Sequence, residues 1–237
     1  MSTSNSTNFS ITRDQLISGA LRIAGAIAQG ETPTATQVTE AAEALNMLVK
    51  AMQADGMPLW AIKKYAVTLT ATSDYTIGVG STVNTPKPLK VVNAYRHNTL
   101  TNIDVPMRVV TRQEYDMLGN KTSTGSPVQL FYEPLLSTGV MHVFPVPDTY
   151  SIANETIYII YQRPFEDFDA STDEPDFPQE WFDAIKFGLA DRLAPEYGLA
   201  IQDRQDLRSR AKELRQEALG FGTEEGSIRF MAEQRNW

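Results

Sequence analysis

Two runs, Tyr65-Ala-Val-Thr-Leu-Thr-Ala71 and Asp74-Tyr-Thr-Ile-Gly78, decide how this chain of 237 residues is organised. Apolar and polar residues alternate in them with period two, so successive side chains point to opposite faces of a half-buried strand. The second run reads as the return strand of the first. The same signature recurs at Leu89–Tyr95, Ile103–Val110, Val128–Tyr132, Val140–Phe144 and Thr156–Tyr161. One short helix, Gln113–Leu118, interrupts the series, with Thr111 and Glu114 placed to cap it. Prolines 86, 88, 106, 127, 134, 145 and 147 fall at strand ends or edges, where a sheet tolerates a missing N–H. Residues 61–165 are therefore expected to form an antiparallel β sandwich or barrel.

Outward from this block the period changes to that of helices. Upstream, Thr12 and Gln15 form a capping-box pair, and Leu16, Ile17, Ala20, Ile23, Ala24 and Ile27 share one face. Gly19, Gly25 and Ala26 leave another face nearly bare, open to a close neighbour. Gly30 and Pro33 are expected to stop this helix. Thr34 and Gln37 repeat the cap, followed by Val38, Ala42, Leu45, Val49 and Met52 on one stripe, with Asp55-Gly56 and Pro58 closing the second helix. The short link predicts an antiparallel helical hairpin. Residues 1–11 are Ser/Thr/Asn-rich and read as a flexible N-terminus.

Downstream, residues 166–183 hold Glu166, Asp167, Asp169, Asp173, Glu174, Asp176, Glu180 and Asp183 without one Lys or Arg. Residues 166–177 read as a solvated acidic connector. Pro178 is suited to the first position of a helix, and Trp181, Ile185, Leu189 and Leu193 then follow at four-residue steps. Phe187, Ala190 and Ala194 lie on the opposite face, so this helix is either central or shared with a second subunit. A charged helix over about Asp203–Leu219 follows, with a narrow stripe of Leu207, Ala211, Leu214 and Ala218 and an Asp206–Arg210 pair. Gly220, Gly222 and Gly226 are expected to end it, leaving residues 220–237 as an extended C-terminal arm. The whole is α+β: a helical bundle of residues 12–60 and 178–219, two helices from each end, with the β domain inserted.

Composition narrows the function. Lys and Arg number 21 and Asp and Glu 29, a net charge of −8. A protein that wraps DNA or coats an anionic membrane needs clustered cations, so both roles are disfavoured. Cysteine is absent, which excludes disulfide scaffolds, thiolate metal sites and cysteine nucleophiles. No stretch approaches the ~18 uninterrupted apolar residues of a membrane span.

The catalytic inventory is poor. His97 and His142 sit in or beside predicted strands, far in sequence from any partner motif. No phosphate loop, nucleophile elbow, paired-histidine zinc motif or dinucleotide fingerprint occurs. Asp169, Ser171, Asp173 and Glu180 occupy positions 1, 3, 5 and 12 of a calcium-loop pattern. Position six, however, is Glu174 where the turn needs glycine, and Pro175 and Pro178 interrupt the loop. Trp181 and Phe182 read as core. Phe230 and Trp237 lie on a glycine-flanked tail that has no core of its own, and each such side chain gains roughly 1.5–3 kcal/mol by burial in a partner. No catalytic residue, cofactor or metal site is expected. Three functions compete: a structural assembly protein, a polysaccharide hydrolase with paired carboxylates, and a soluble binding module whose β part recognises a ligand.

Four motifs tip the balance. Gly30-Glu-Thr-Pro33 and Ala41-Ala-Glu-Ala-Leu-Asn46 precede the β insertion, and Asp173-Glu-Pro-Asp-Phe-Pro-Gln-Glu-Trp181 and Leu193-Ala-Pro-Glu-Tyr-Gly198 follow it. This arrangement resembles the head-to-tail adaptor proteins of tailed bacteriophages, also called tail accessory or packaged-DNA stabilisation proteins. The resemblance implies a ring of subunits, commonly twelve, bound under the portal in the virion after synthesis in the host cytoplasm. Such a ring extends the DNA channel, helps retain packaged double-stranded DNA without specific binding, and supports the tail tube or nozzle. Members of the family hold the portal partly through C-terminal arms, a role that falls by position on Phe221, Ile228, Arg229, Phe230, Met231 and Trp237. The candidate subunit interface is Gly19, Gly25, Ala26, Phe187, Ala190 and Ala194.

Overall fold

The structure, a computed structural model, describes residues 5–54 and 59–221. In chain order its elements begin with α1 (Arg13–Ile23), α2 (Ala35–Ala54), β1 (Ile62–Thr68), β2 (Asp74–Gly78) and β3 (Val83–Asn84). Then come β4 (Lys90–Asn98), β5 (Ile103–Val109), α3 (Arg112–Asp116), β6 (Thr124–Gly125), β7 (Gln129–Pro134) and β8 (Gly139–Phe144). The series closes with β9 (Val146–Pro147), α4 (Thr149–Asn154), β10 (Glu155–Gln162), α5 (Phe182–Leu193) and α6 (Ile201–Phe221). The fold is α+β, helices plus a nearly closed, barrel-like sheet. The two chain ends, up to Val49 and from Asp167, form one compact unit, and Lys50–Glu166 form the other.

All seven strands that the period-two signal predicts are present in the β unit. Eight strands run in the order β1-β10-β4-β5-β7-β8-β2-β3. The sheet is mixed rather than purely antiparallel, because β5 pairs β7 and β2 pairs β3 in parallel. The expected β1–β2 hairpin does not form. β1 pairs instead with β10, Thr68 opposite Thr156, and β2 pairs with β8, Asp74 opposite His142. Alternation sets the faces: Glu155, Ile157, Ile159 and Tyr161 of β10 point inward and Thr156, Tyr158 and Ile160 outward. Inside, Val67, Tyr75, Ile77, Leu130, Met141, Ile157 and Ile159 are at most 2% exposed and form one core. Each fully buried aliphatic side chain contributes roughly 1.5–3 kcal/mol.

Outside the sheet, α3 covers a second, smaller cluster of Val110, Tyr115 and Phe131. Thr111 and Glu114 form the expected capping box. α4 was not predicted. Its start is fixed by the Asp148 carboxylate, which accepts the Ser151 N–H at 2.8 Å. The return chain is anchored within this unit too: Lys50 Nζ donates to the Phe165 carbonyl at 2.8 Å, and the Phe165 N–H to Gln53 Oε1 at 2.9 Å.

In the helical unit both capping boxes form, Thr12 with Gln15 and Thr34 with Gln37. α1 nevertheless stops at Ile23, well before Gly30. The Ala26 N–H bonds the Leu21 carbonyl at 2.9 Å and the Gly25 N–H bonds the Arg22 carbonyl at 3.1 Å, with Gly25 at φ +72°. That is a Schellman stop, and it needs the left-handed conformation glycine adopts freely. Ala24 and Ile27 remain buried beyond it, so the apolar stripe outlasts the helix. α1 packs on α5, and α5 packs on α6. α5 is thus the central helix: Trp181, Ile185, Leu189 and Leu193 are all buried. Pro178 precedes a single 3₁₀ turn, Gln179–Trp181, that leads into it. α6 runs through Gly220 to Phe221, so that glycine does not end the helix. The predicted Asp206–Arg210 pair is replaced by Arg210 with Glu213 at 3.2 Å and Arg208 with Asp191 at 3.5 Å. Asp55, Gly56 and Pro58, expected to close α2, lie outside the described residues.

Candidate functional site

The acidic stretch exposes Glu166, Asp167, Asp169 and Glu174 to solvent and contains a built turn. Asp173 Oδ2 accepts the N–H groups of Asp169 and Ala170 at 2.8 and 2.6 Å. Those bonds, with Arg13 nearby, hold the Asp173 carboxyl below the ordinary aspartate value of 3.8. The turn is pinned to the start of α1: the Arg13 N–H donates to the Asp173 carbonyl at 2.7 Å, and the Arg13 guanidinium to the Asp169 carbonyl at 3.0 Å. Asn46 of α2 straps the next segment through both of its amide atoms, donating to the Phe168 carbonyl at 3.2 Å and accepting the Phe168 N–H at 2.9 Å. Phe168 and Phe177 are buried. Of the calcium-loop positions, the Asp173 carboxylate is thus occupied by backbone amides, and no group of three or more His, Cys, Asp or Glu among the described residues is arranged to hold a metal.

Both histidines have carboxylate partners that sequence distance hid. His97 Nδ1 lies 2.7 Å from Asp104, its cross-strand neighbour on β5. His142 Nδ1 lies 2.8 Å from Asp74 on β2, and its Nε2 lies 3.4 Å from Glu133 on β7. Its ring stacks on Phe131 at 5.5 Å and leans on Tyr115 at 5.3 Å. Arg112 of α3 completes the group by pairing with Glu133. With both ring nitrogens engaged, His142 ties three strands and a helix together. Burial raises the Tyr115 phenol, with Asp74 and Asp116 adding to the effect. Tyr132, more deeply set, is pushed up to about 12 and donates to the Pro88 carbonyl at 2.7 Å. The deeply buried carboxylate of Glu155 is paired with Arg96 at 2.5 Å, which is not the two-acid cleft a glycoside hydrolase uses.

The predicted interface residues divide. Ala190 and Ala194 are 0% exposed, because α5 is enclosed by helices of its own unit, so they present nothing to a neighbour. Gly19 is half-buried and lines a concavity of about 560 Å³ with Ile11, Arg22, Ile23 and Lys186, where a Cβ on it would lie 3.2 Å from Lys186 Cδ. Gly25 and Ala26 lie past the helix end, in the Schellman turn. Phe187 is half-buried, with the Lys186 ammonium 5.7 Å from its ring centre. Phe221 ends α6 with 79% exposure. Ile228, Arg229, Phe230, Met231 and Trp237 lie outside the described residues.

Two surface features of the helical unit went unread. A notch of about 250 Å³ opens beside the end of α5, lined by Asp191, Pro195, Ile201, Arg204, Gln205 and Arg208. The i,i+4 spacing of Arg204 and Arg208 at the start of α6 was the available signal. At the other end of α5, a concavity of about 380 Å³ is lined by Phe9, Ser10, Glu174, Pro175, Gln179 and Phe182. Phe9 leans on Phe182 with ring centres 6.1 Å apart, and Gln179 Nε2 donates to the Thr7 carbonyl at 3.0 Å. The N-terminal stretch from Thr7 therefore lies along the helical unit.

Among the described residues the surface shows open clefts and ion pairs that brace neighbouring elements. The chain matches the SU10 adaptor protein family over residues 11–228 and belongs to it. It is a structural adaptor of phage, a component of the virion, as its four motifs led us to expect. No curated protein matches it. Among the described residues no helix is long and apolar enough to cross a membrane.

Proposed function

We propose that copies of this chain assemble into a ring, of twelve subunits by the family pattern, that binds beneath the portal, prolongs the DNA channel, helps retain packaged DNA and carries the tail tube or nozzle. The observation that carries this reading is the family match across nearly the whole chain, helical unit and β insertion together. The exposed Phe221 at the end of α6 supports portal docking by residues 220–237, with Ile228, Arg229, Phe230, Met231 and Trp237 as the anchoring side chains. Net charge supports a channel that conducts DNA without gripping it. At −8 per chain, phosphates are repelled wherever acids face the lumen, and screening over roughly 8 Å leaves that repulsion intact at contact range. Acidic or neutral residues should therefore outnumber Lys and Arg on the channel wall. No catalysis is part of this role.

Mixing the purified chain with portal rings and imaging the product tests the proposal. A collar of regular stoichiometry is expected, and a chain lacking residues 220–237 should keep its fold and lose the collar. Portal rings that stay bare in the presence of the full chain refute the adaptor role as proposed, and full-strength binding by the truncated chain refutes the arm.

A further inference from the structure

The notch between α5 and α6 carries more cation than its own unit uses. Arg204 and Arg208 face it one helical turn apart, in the first half of α6. Among the described residues Asp191 is the sole acid on its wall, engaged with Arg208 Nε at a loose 3.5 Å. The Nε of Arg204 is buried with no hydrogen-bond partner among the described residues, a cost a protein interior rarely leaves unanswered. Ile201, 66% exposed, and Pro195 give the notch an apolar lip. Such a wall fits a carboxylate carried on an apolar stretch of polypeptide.

The same unit displays that chemistry elsewhere. Glu174 and Glu180 are exposed on Glu-Pro-Asp-Phe-Pro-Gln-Glu, and Glu174 rims the concavity that holds Phe9, itself 65% exposed. Acidic residues dominate the helical unit, with twenty Asp and Glu against eleven Lys and Arg, so the arginine notch is a local exception in it. The two surfaces lie at opposite ends of α5, whose 12 residues span about 18 Å. One copy cannot seat its own acidic rim in its own notch, whereas a second copy can. A contact between two different patches of identical chains is heterologous, and it repeats from copy to copy until it closes.

We infer that the Arg204–Arg208 notch receives the Glu174–Glu180 rim of a second copy of this chain, as the head-to-tail contact between neighbouring subunits. This rests on the ring reading above and adds the surfaces that would build it.

The test is a charge swap, read by sedimentation velocity of the full chain at low salt and by imaging of portal collars. Arg204→Glu/Arg208→Glu and Glu174→Lys/Glu180→Lys should each weaken self-association by roughly tenfold or more, since two attractive contacts become repulsive. An equimolar mixture of the two variants should recover it, because every interface then pairs opposite charges again. The chain has no cysteine, so single Ser10→Cys and Gln205→Cys chains give unique sites. A short bismaleimide should join one to the other, and neither to itself. Recovery in the mixture together with the mixed crosslink supports the contact. Self-association or collars unchanged in the Arg204→Glu/Arg208→Glu variant, absence of recovery, or no mixed crosslink overturns it. Failure here with wild-type collars still forming on portals leaves the adaptor role standing. Failure of wild-type collars strikes the adaptor role itself.

Discussion

Arg96 and Glu155 offer the sharpest test of how the β unit is held. They come from neighbouring strands on the inner side of the sheet, Arg96 opposite Ile157 and Glu155 opposite Asn98, so their side chains meet on a diagonal. Nη1 and Oε1 are 2.5 Å apart, and the side chains are 16% and 3% exposed. Arg96 Nε and Glu155 Oε2 are both buried without a partner among the described residues, so the pair is only half satisfied. Removing one member strands the other charge in the interior, which costs about 3–5 kcal/mol, whereas replacing both by apolar groups of similar size is often neutral. Arg96→Met and Glu155→Leu should each destabilise the unit by that amount, and the double variant should return to within about 1 kcal/mol of the wild type, giving a large coupling energy. Urea unfolding followed by the fluorescence of Trp60 reports on the right unit, because Trp60 stacks on Phe165 at 4.8 Å within it. A Trp181→Phe/Trp237→Phe background leaves Trp60 as the single tryptophan. If Arg96→Met costs under about 1 kcal/mol, the carboxylate is being solvated and the burial argument fails. If the double variant is as unstable as the worse single one, shape rather than charge pairing holds the site.

Three further outcomes follow from local geometry. Gly25→Ala should cost about 1–2 kcal/mol in the helical unit: the φ of +72° is costly for an L side chain, while the added Cβ meets Leu199 only at an ordinary 3.6 Å. Gly25→Asn should recover part of that cost in thermal melts, and a neutral alanine would remove the Schellman argument. Gly139→Ala would drive a methyl into the Tyr132 ring, displacing it from the Pro88 carbonyl at a cost of about 1–3 kcal/mol. Ultraviolet titration should then show Tyr132 ionising below its buried value of about 12, and an unchanged tyrosine titration would refute the clash. Finally, Asp173, Asp148 and Glu114 are each held below their ordinary values chiefly by backbone N–H donors. A carboxyl with a depressed folded-state value stabilises the fold above its unfolded value and loses that contribution as pH falls through the lower one. The stability gap between wild type and Asp173→Ala should thus be full at neutral pH and shrink below about pH 3.8, and a gap independent of pH would show that the carboxylate's charge does nothing.

What the sequence disclosed was local, and what it concealed was pairing. Period two located all seven main strands because one face of each is dry, a property written residue by residue. It could not say that β1 closes on β10, since Thr68 and Thr156 are far apart in sequence and the nearer β2 carries the same alternation. Proximity favoured a hairpin, and the sheet's closure won. α1 was read too long for a related reason: Ala24 and Ile27 are buried after the helix has ended, so burial extends a stripe the backbone has already left. α4 has no stripe to read across Thr-Tyr-Ser-Ile-Ala-Asn, though Asp148 three residues before Ser151 was a usable cap signal.

The candidate site was the least legible part, and the acidic stretch shows why. Eight carboxylates in eighteen residues looked alike on the page. In the fold they separate by what their neighbours ask of them: Asp173 is consumed by two backbone amides, Asp183 holds Lys186 at 2.6 Å, and Glu174 is left facing outward beside a partly exposed phenylalanine. Only the last kind is free to recognise anything. A catalytic site announces itself through residue types whose chemistry is rare, but an assembly surface is made of common residues, and it is defined by which of them folding has left unspent. Arg204 and Arg208 are two of nine cations in the C-terminal segment from Asp167, and only the position of the notch separates them from the rest. For a protein that acts by contact, the function-bearing residues are therefore found by subtraction from the folded structure.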